Sequence, residues 1–197
     1  MLEAYFRPIY QACLADPVAK YLSNYSPTFI TYLACAAGIM VLPALFYNYP
    51  VLATILLLFS GFLDTIDGSV ARINNKISDK GIVLDIISDR IVEVAVILGL
   101  YAMDPSRGWL ALAMLGSCYI YLTTFLVMDV FSPDRVQKGF QYSPGAFERA
   151  EAFILFVLMI WLPDSFTTLA YLFTGLVMLT SYLRINQFLQ AARITIK

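Results

Sequence analysis

Four aspartates in one short stretch are the residues of this chain best placed to do chemistry. The stretch is 64–89, DTIDGSVARINNKISDKGIVLDIISD; Asp64 and Asp67 stand at i,i+3 within it, and Asp85 and Asp89 at i,i+4. On a helix, residues at either interval share a face. Asn74-Asn75 supplies a turn signal between the pairs. The spacing therefore predicts two antiparallel helices that are direct neighbours in a hairpin. Both 67 with 85 and 64 with 89 centre on Lys76 or the peptide bond after it, so Asp67 is expected to face Asp85, and Asp64 to face Asp89. Four carboxylates at one level repel one another and need countercharge. A cup of hard oxygens suits Mg²⁺ or Mn²⁺ and is large enough for two ions, which together can clamp a phosphate and a nucleophile.

The rest of the composition narrows the chemistry. There is no histidine, so imidazole is excluded as base, ligand or triad member. Acid–base work falls to carboxylates, Lys, Tyr or Cys. Cys13, Cys35 and Cys118 are scattered without metal-ligand spacing and read as small apolar fillers. A net charge of −1 offers no field for nucleic acid. Around the aspartates, Gly68, Ala71 and Gly81 leave gaps for either a neighbouring helix or a ligand. Arg72 adds a cation able to meet phosphate.

The elements that position these residues belong to a membrane. The 197 residues are 60% hydrophobic and 14% charged, with mean hydropathy +0.73. Six apolar stretches, about 27–48, 50–73, 79–103, 108–129, 146–163 and 165–189, each approach the roughly 20 residues a helix needs to cross hydrocarbon. The expected fold is an all-α integral membrane protein: an amphipathic juxtamembrane segment, 1–26, then a six-helix domain, 27–197. Glu3, Arg7, Asp16 and Lys20 interrupt the start, which does not read as a cleaved signal peptide. Residues 17–25 read as a short helix on the membrane surface. Six spans put both termini on one side, together with every Lys and Arg except Arg107. By the positive-inside rule that side is cytoplasmic.

The eight residues Asp64, Asp67, Gly68, Ala71, Arg72, Gly81, Asp85 and Asp89 match D-x2-D-G-x2-A-R-x8-G-x3-D-x3-D at every interval. The chain thereby resembles the class I CDP-alcohol phosphatidyltransferases, and its span layout extends the resemblance over most of its length. The resemblance implies that Asp64, Asp67, Asp85 and Asp89 hold two divalent ions and that Asp89 is the general base. The lack of histidine agrees with that assignment. It further implies that Asp67, Gly68, Ala71, Arg72, Gly81 and Asp85 line the site of a CDP-activated lipid. The phosphatidyl group would pass to a small alcohol with release of CMP, in a homodimer of a prokaryotic cytoplasmic membrane. One departure is Thr28 in Ser26-Pro27-Thr28-Phe29-Ile30-Thr31, where relatives usually carry Asn. Pro27 and Thr31 are kept as supporting residues. So is Glu93, which continues the i+4 series from Asp85 and Asp89.

Lys138, Arg149 and Arg184 lie on the cytoplasmic side, outside the motif. They read either as interface anchors or as a pocket for a phosphate on the acceptor. The second reading favours a phosphorylated polyol, inositol phosphate or glycerol 3-phosphate, over serine or free inositol. A divalent-cation transporter would also want carboxylates within the membrane, but it has no need of Gly68, Ala71, Arg72 and Gly81 at these intervals.

Overall fold

Proline and short polar residues decide where the helices begin. The computed structural model of the chain describes residues 11, 15–131, 147 and 149–195, with the side chains of 129 and 191–195 outside that description. Among the described residues the secondary structure is helical throughout. Helices α1 (Asp16–Tyr21), α2 (Pro27–Ile39) and α4 (Pro50–Ile73) carry proline in the first turn, where an absent N–H breaks no helical bond. Between them, α2 breaks at Met40 and resumes as α3 (Val41–Phe46). Helix α5 (Asp79–Met103) is capped by Ser78, whose hydroxyl accepts from the Gly81 N–H at 3.2 Å. Helices α6 (Gly108–Val130), α7 (Arg149–Trp161) and α8 (Phe166–Thr195) follow. The turns after α3 and α4 use Asn48 at φ 61° and Asn75 at φ 51°, a conformation that asparagine adopts more readily than most residues.

Among the described residues, four stretches are long and apolar enough to cross a membrane: Pro27–Phe46, Pro50–Ile73, Pro105–Met128 and Pro163–Gln190. The other two expected spans differ in character. Helix α5 has 25 residues but carries Asp79, Lys80, Asp85, Asp89, Arg90 and Glu93. Helix α7 has 13 residues and begins next to residues outside the description. Helix α1 ends at Tyr21 rather than Tyr25, because the chain must turn and extend at Ser26 before Pro27.

The expected hairpin packing is corrected by the structure. Helices α4 and α5 make little backbone contact with each other; α2 packs against both, and α3 packs on α5. Gly38 permits this. A Cβ there would run into Val92 of α5 and come within 3.0 Å of the Ser60 hydroxyl of α4. Ser60 in turn donates to the Ala34 carbonyl at 2.7 Å. The motif helices are thus held apart at a distance their aspartate side chains can span.

A large core joins Leu45, Leu57, Val96, Leu100, Met114, Phe156 and Phe173. A smaller one, Ala19, Ile30, Ala34, Leu63, Ile66 and Val70, seats α1 on α2 and α4. Outside, Leu58, Leu112, Leu172 and Leu179 are exposed, an apolar surface suited to lipid. Arg107, the one basic residue expected on the far side, has a structural partner set there. Its guanidinium pairs with Asp104 at 3.2 Å, lies over the Phe166 ring at 4.3 Å and donates to the Pro163 carbonyl at 3.4 Å. It therefore ties the two turns at that end together. Hydrogen bonds from Ser106 hold the Asp104 carboxyl below its usual range.

Candidate active site

Helix periodicity brings Asp64 and Asp67 to one face of α4 and Asp85 and Asp89 to one face of α5. Carboxylate oxygens of Asp64, Asp67 and Asp85 lie within 4.8 Å of one another. Oxygen ligands on opposite sides of an ion sit about 4.2–5.2 Å apart for bonds of 2.1–2.6 Å, so these three fit around one ion. The donor set is all hard oxygen, and among the described residues no cysteine or histidine joins it to favour softer metals.

Asp89 enters the cluster through Arg149, at the start of α7. The Arg149 Nη1 donates to Asp64 Oδ2 and stands 2.7 Å from Asp89 Oδ1. That second contact is a close ion pair, and Asp89 Oδ1 is otherwise buried. Arg149 also packs its guanidinium 5.2 Å from the Phe153 ring, one turn along α7.

Thr31 supports the opposite corner. Its hydroxyl lies 2.6 Å from Asp67 Oδ2 and 3.1 Å from the Pro27 carbonyl, two acceptors for one proton. Both Thr31 and Asp67 are buried, each 6% exposed. Pro27 itself starts α2 and so sets the depth of Thr31. Glu93 is committed to Arg90 at 2.6 Å.

The glycines separate into two kinds. Cβ atoms at Gly38, Gly61 and Gly99 would collide with Val92, Phe153 and Leu45, so these glycines serve packing. At Gly68 a Cβ would meet only Arg72 Nη1 at 3.5 Å, and at Gly81 only Ser78 Oγ at 3.4 Å. Among the described residues no second helix covers either position, which leaves space for a ligand. Arg72 curls back over Gly68 and donates to Ser69 Oγ at 3.0 Å. Ala71 is half-buried beside it.

The remaining sequence-derived residues are spread more widely. Arg184 is buried, with its guanidinium 5.1 Å from the Tyr121 ring and 5.3 Å from that of Phe125. Lys138 lies outside the described residues. Sequence reasoning placed Arg149 near the acids but missed its direct contact with Asp64 and Asp89. It also missed Phe153, whose i+4 spacing from Arg149 was the available signal.

Apolar helices of membrane-crossing length around a carboxylate cup fit a multi-pass, metal-dependent membrane enzyme. The chain belongs to the CDP-alcohol phosphatidyltransferases, a family that matches residues 24–192. It is 29% identical over 168 residues to inner membrane protein YnjF of Escherichia coli K12, covering 81% of each chain. It is 39% identical over 87 residues to archaetidylinositol phosphate synthase of Aeropyrum pernix, covering 43% of this chain and 45% of that one. The fold is similar to that of Mycobacterium tuberculosis phosphatidylinositol phosphate synthase, solved with CDP-DAG bound. That comparison has TM-score 0.73 and 20% identity, covering 89% of this chain and 93% of the other. A second structure of that enzyme, in complex with manganese and citrate, has TM-score 0.72 and 20% identity, covering 89% and 88%.

Proposed function

We propose that this enzyme transfers the phosphatidyl group of a CDP-activated lipid to the hydroxyl of an inositol phosphate, releasing CMP. The observation that carries the acceptor choice is Arg149: a guanidinium fork already in contact with two acids of the cup. Arginine binds phosphate in a bidentate fork, so an acceptor bearing phosphate has an anchor beside the reacting centre. Lys138 and Arg184 are assigned to the same acceptor. The inositol phosphate products named for the archaeal and mycobacterial relatives support this choice.

Asp64, Asp67, Asp85 and Asp89 would hold two divalent ions, Mg²⁺ or Mn²⁺, a choice supported by the manganese complex of the mycobacterial enzyme. Bound ions supply Lewis acidity at the phosphates. Asp67, Gly68, Ala71, Arg72, Gly81 and Asp85 line the CDP site. Gly68 and Gly81 admit the nucleotide's bulk, and Arg72 meets its phosphate charge. Asp89 takes the acceptor hydroxyl proton on its carboxylate. The hydroxyl oxygen then bonds to the lipid-bearing phosphorus as the bond to the CMP oxygen breaks, and CMP leaves. Thr31 holds Asp67 in place, and Pro27 and Glu93 support the two motif helices.

The domain is 27–197, with six spans and the cup facing the cytoplasm, and α1 lies along the membrane surface; residues 1–10 and 12–14 of the expected juxtamembrane segment 1–26 lie outside the described residues. The assembly is a homodimer, as the family resemblance implies. An acceptor screen with purified protein and CDP-diacylglycerol tests the reading by CMP release and product identity. Inositol phosphate is expected to be the best acceptor, and added EDTA to stop turnover until Mg²⁺ or Mn²⁺ is restored. Turnover with serine or free inositol, and none with any phosphorylated polyol, refutes the acceptor. Metal flux through proteoliposomes without CMP release would favour a transporter instead.

A further inference from the structure

We infer that Arg149 is a displaceable internal cation: it occupies the Asp64–Asp89 edge of the cup and is released toward the acceptor phosphate when a metal takes that edge. The inference rests on the reading of the cup as the metal centre and of Arg149 as acceptor anchor.

The geometry divides the four acids unequally. Asp64, Asp67 and Asp85 converge with their oxygens within 4.8 Å, and Asp89 is not part of that group. Between Asp64 and Asp89 stands the Arg149 guanidinium, touching Asp64 Oδ2 and lying 2.7 Å from Asp89 Oδ1. An ion held by Asp64 and Asp89 through those oxygens would compete with the guanidinium for them. Two cations cannot share them at van der Waals distance, so the ion and the guanidinium exclude each other there. The displaced guanidinium keeps its charge, because arginine does not lose its proton in a protein. It needs a new anion, and a phosphate on the acceptor is the one that the reaction brings. Phe153 limits the motion: its ring lies 5.2 Å from the guanidinium and fills the space over Gly61. Arg149 is thus set to pivot between carboxylate and phosphate rather than to leave the site. Metal and acceptor then assist each other, and by linkage the assistance is reciprocal.

The test measures Mn²⁺ binding to the full chain in detergent by the EPR signal of free Mn²⁺, with no lipid donor and no turnover. Removing the competing cation in Arg149→Met is expected to tighten Mn²⁺ binding by about fivefold or more, the lower range of site–site coupling. Arg149→Lys, with one ammonium in place of the fork, is expected to tighten it less. Arg90→Met removes the same charge next to Asp89, from a side chain bound to Glu93, and is expected to leave Mn²⁺ affinity near wild type. In wild type, inositol phosphate is expected to tighten Mn²⁺ binding; in Arg149→Met this response is lost. Unchanged or weaker Mn²⁺ binding in both Arg149 variants overturns the proposal, as does an equal gain in Arg90→Met. A wild-type chain that binds no Mn²⁺ refutes instead the metal reading beneath it.

Discussion

Replacing Thr31 by valine removes one hydroxyl from beneath the metal cup while keeping the shape of the side chain. The structure offers that proton two acceptors, Asp67 Oδ2 at 2.6 Å and the Pro27 carbonyl at 3.1 Å. The shorter contact and the charge of the carboxylate favour Asp67. With both residues 6% exposed, water cannot readily replace the lost donor. A hydrogen bond to a charged group contributes about 1.5–3 kcal/mol, equivalent to roughly 10–150-fold in an equilibrium. Loss of a partner that orients a metal ligand costs about 10–100-fold in metal affinity or activity. Thr31→Val should therefore raise the Mn²⁺ concentration for half-maximal CMP release by about 10–100-fold. Much of the rate should return at saturating metal, and Thr31→Ser should stay close to wild type. The assay is CMP release across a Mn²⁺ titration, with thermal unfolding followed in parallel. Wild-type metal dependence in Thr31→Val would refute the reasoning, because the proton would then belong to Pro27 and the side chain would serve only α2.

The two kinds of glycine give opposite expectations. Gly68→Ala meets only ordinary contact and should keep its thermal stability while weakening CDP binding; Gly99→Ala, whose Cβ would sit 2.8 Å from Leu45 Cδ1, should lose about 1–3 kcal/mol of stability through overpacking. Unchanged CDP affinity in the first variant would remove Gly68 from the donor site. Asp89→Asn should lower kcat by about 10²–10⁴-fold even with metal bound, and normal turnover at confirmed metal occupancy would reassign the base. Arg184→Ala should raise the acceptor KM by about 10–150-fold with donor affinity nearly unchanged; a loss of stability with KM unaltered would limit Arg184 to its packing between Tyr121 and Phe125.

Local chemistry was legible from residue order. The i,i+3 and i,i+4 aspartates share helix faces because helical geometry is periodic. The Asn74-Asn75 turn and the proline starts of α2 and α4 depend on backbone preferences that each residue carries with it. Apolar composition marks the chain for a membrane wherever its helices go. What needed the tertiary structure was every contact between helices distant in sequence. A symmetric hairpin argument packed α4 on α5, but Gly38 lets α2 in against both, because a missing Cβ sets how closely two backbones approach. The same limit applied to Gly68, Gly81 and Gly99. All are glycine in the sequence, and only their three-dimensional neighbours distinguish a ligand gap from a packing seam. Arg149 lies 85 residues from Asp64, and no periodicity links them. Their meeting depends on how α7 docks against α4 and α5, a balance of long-range packing that no local pattern encodes.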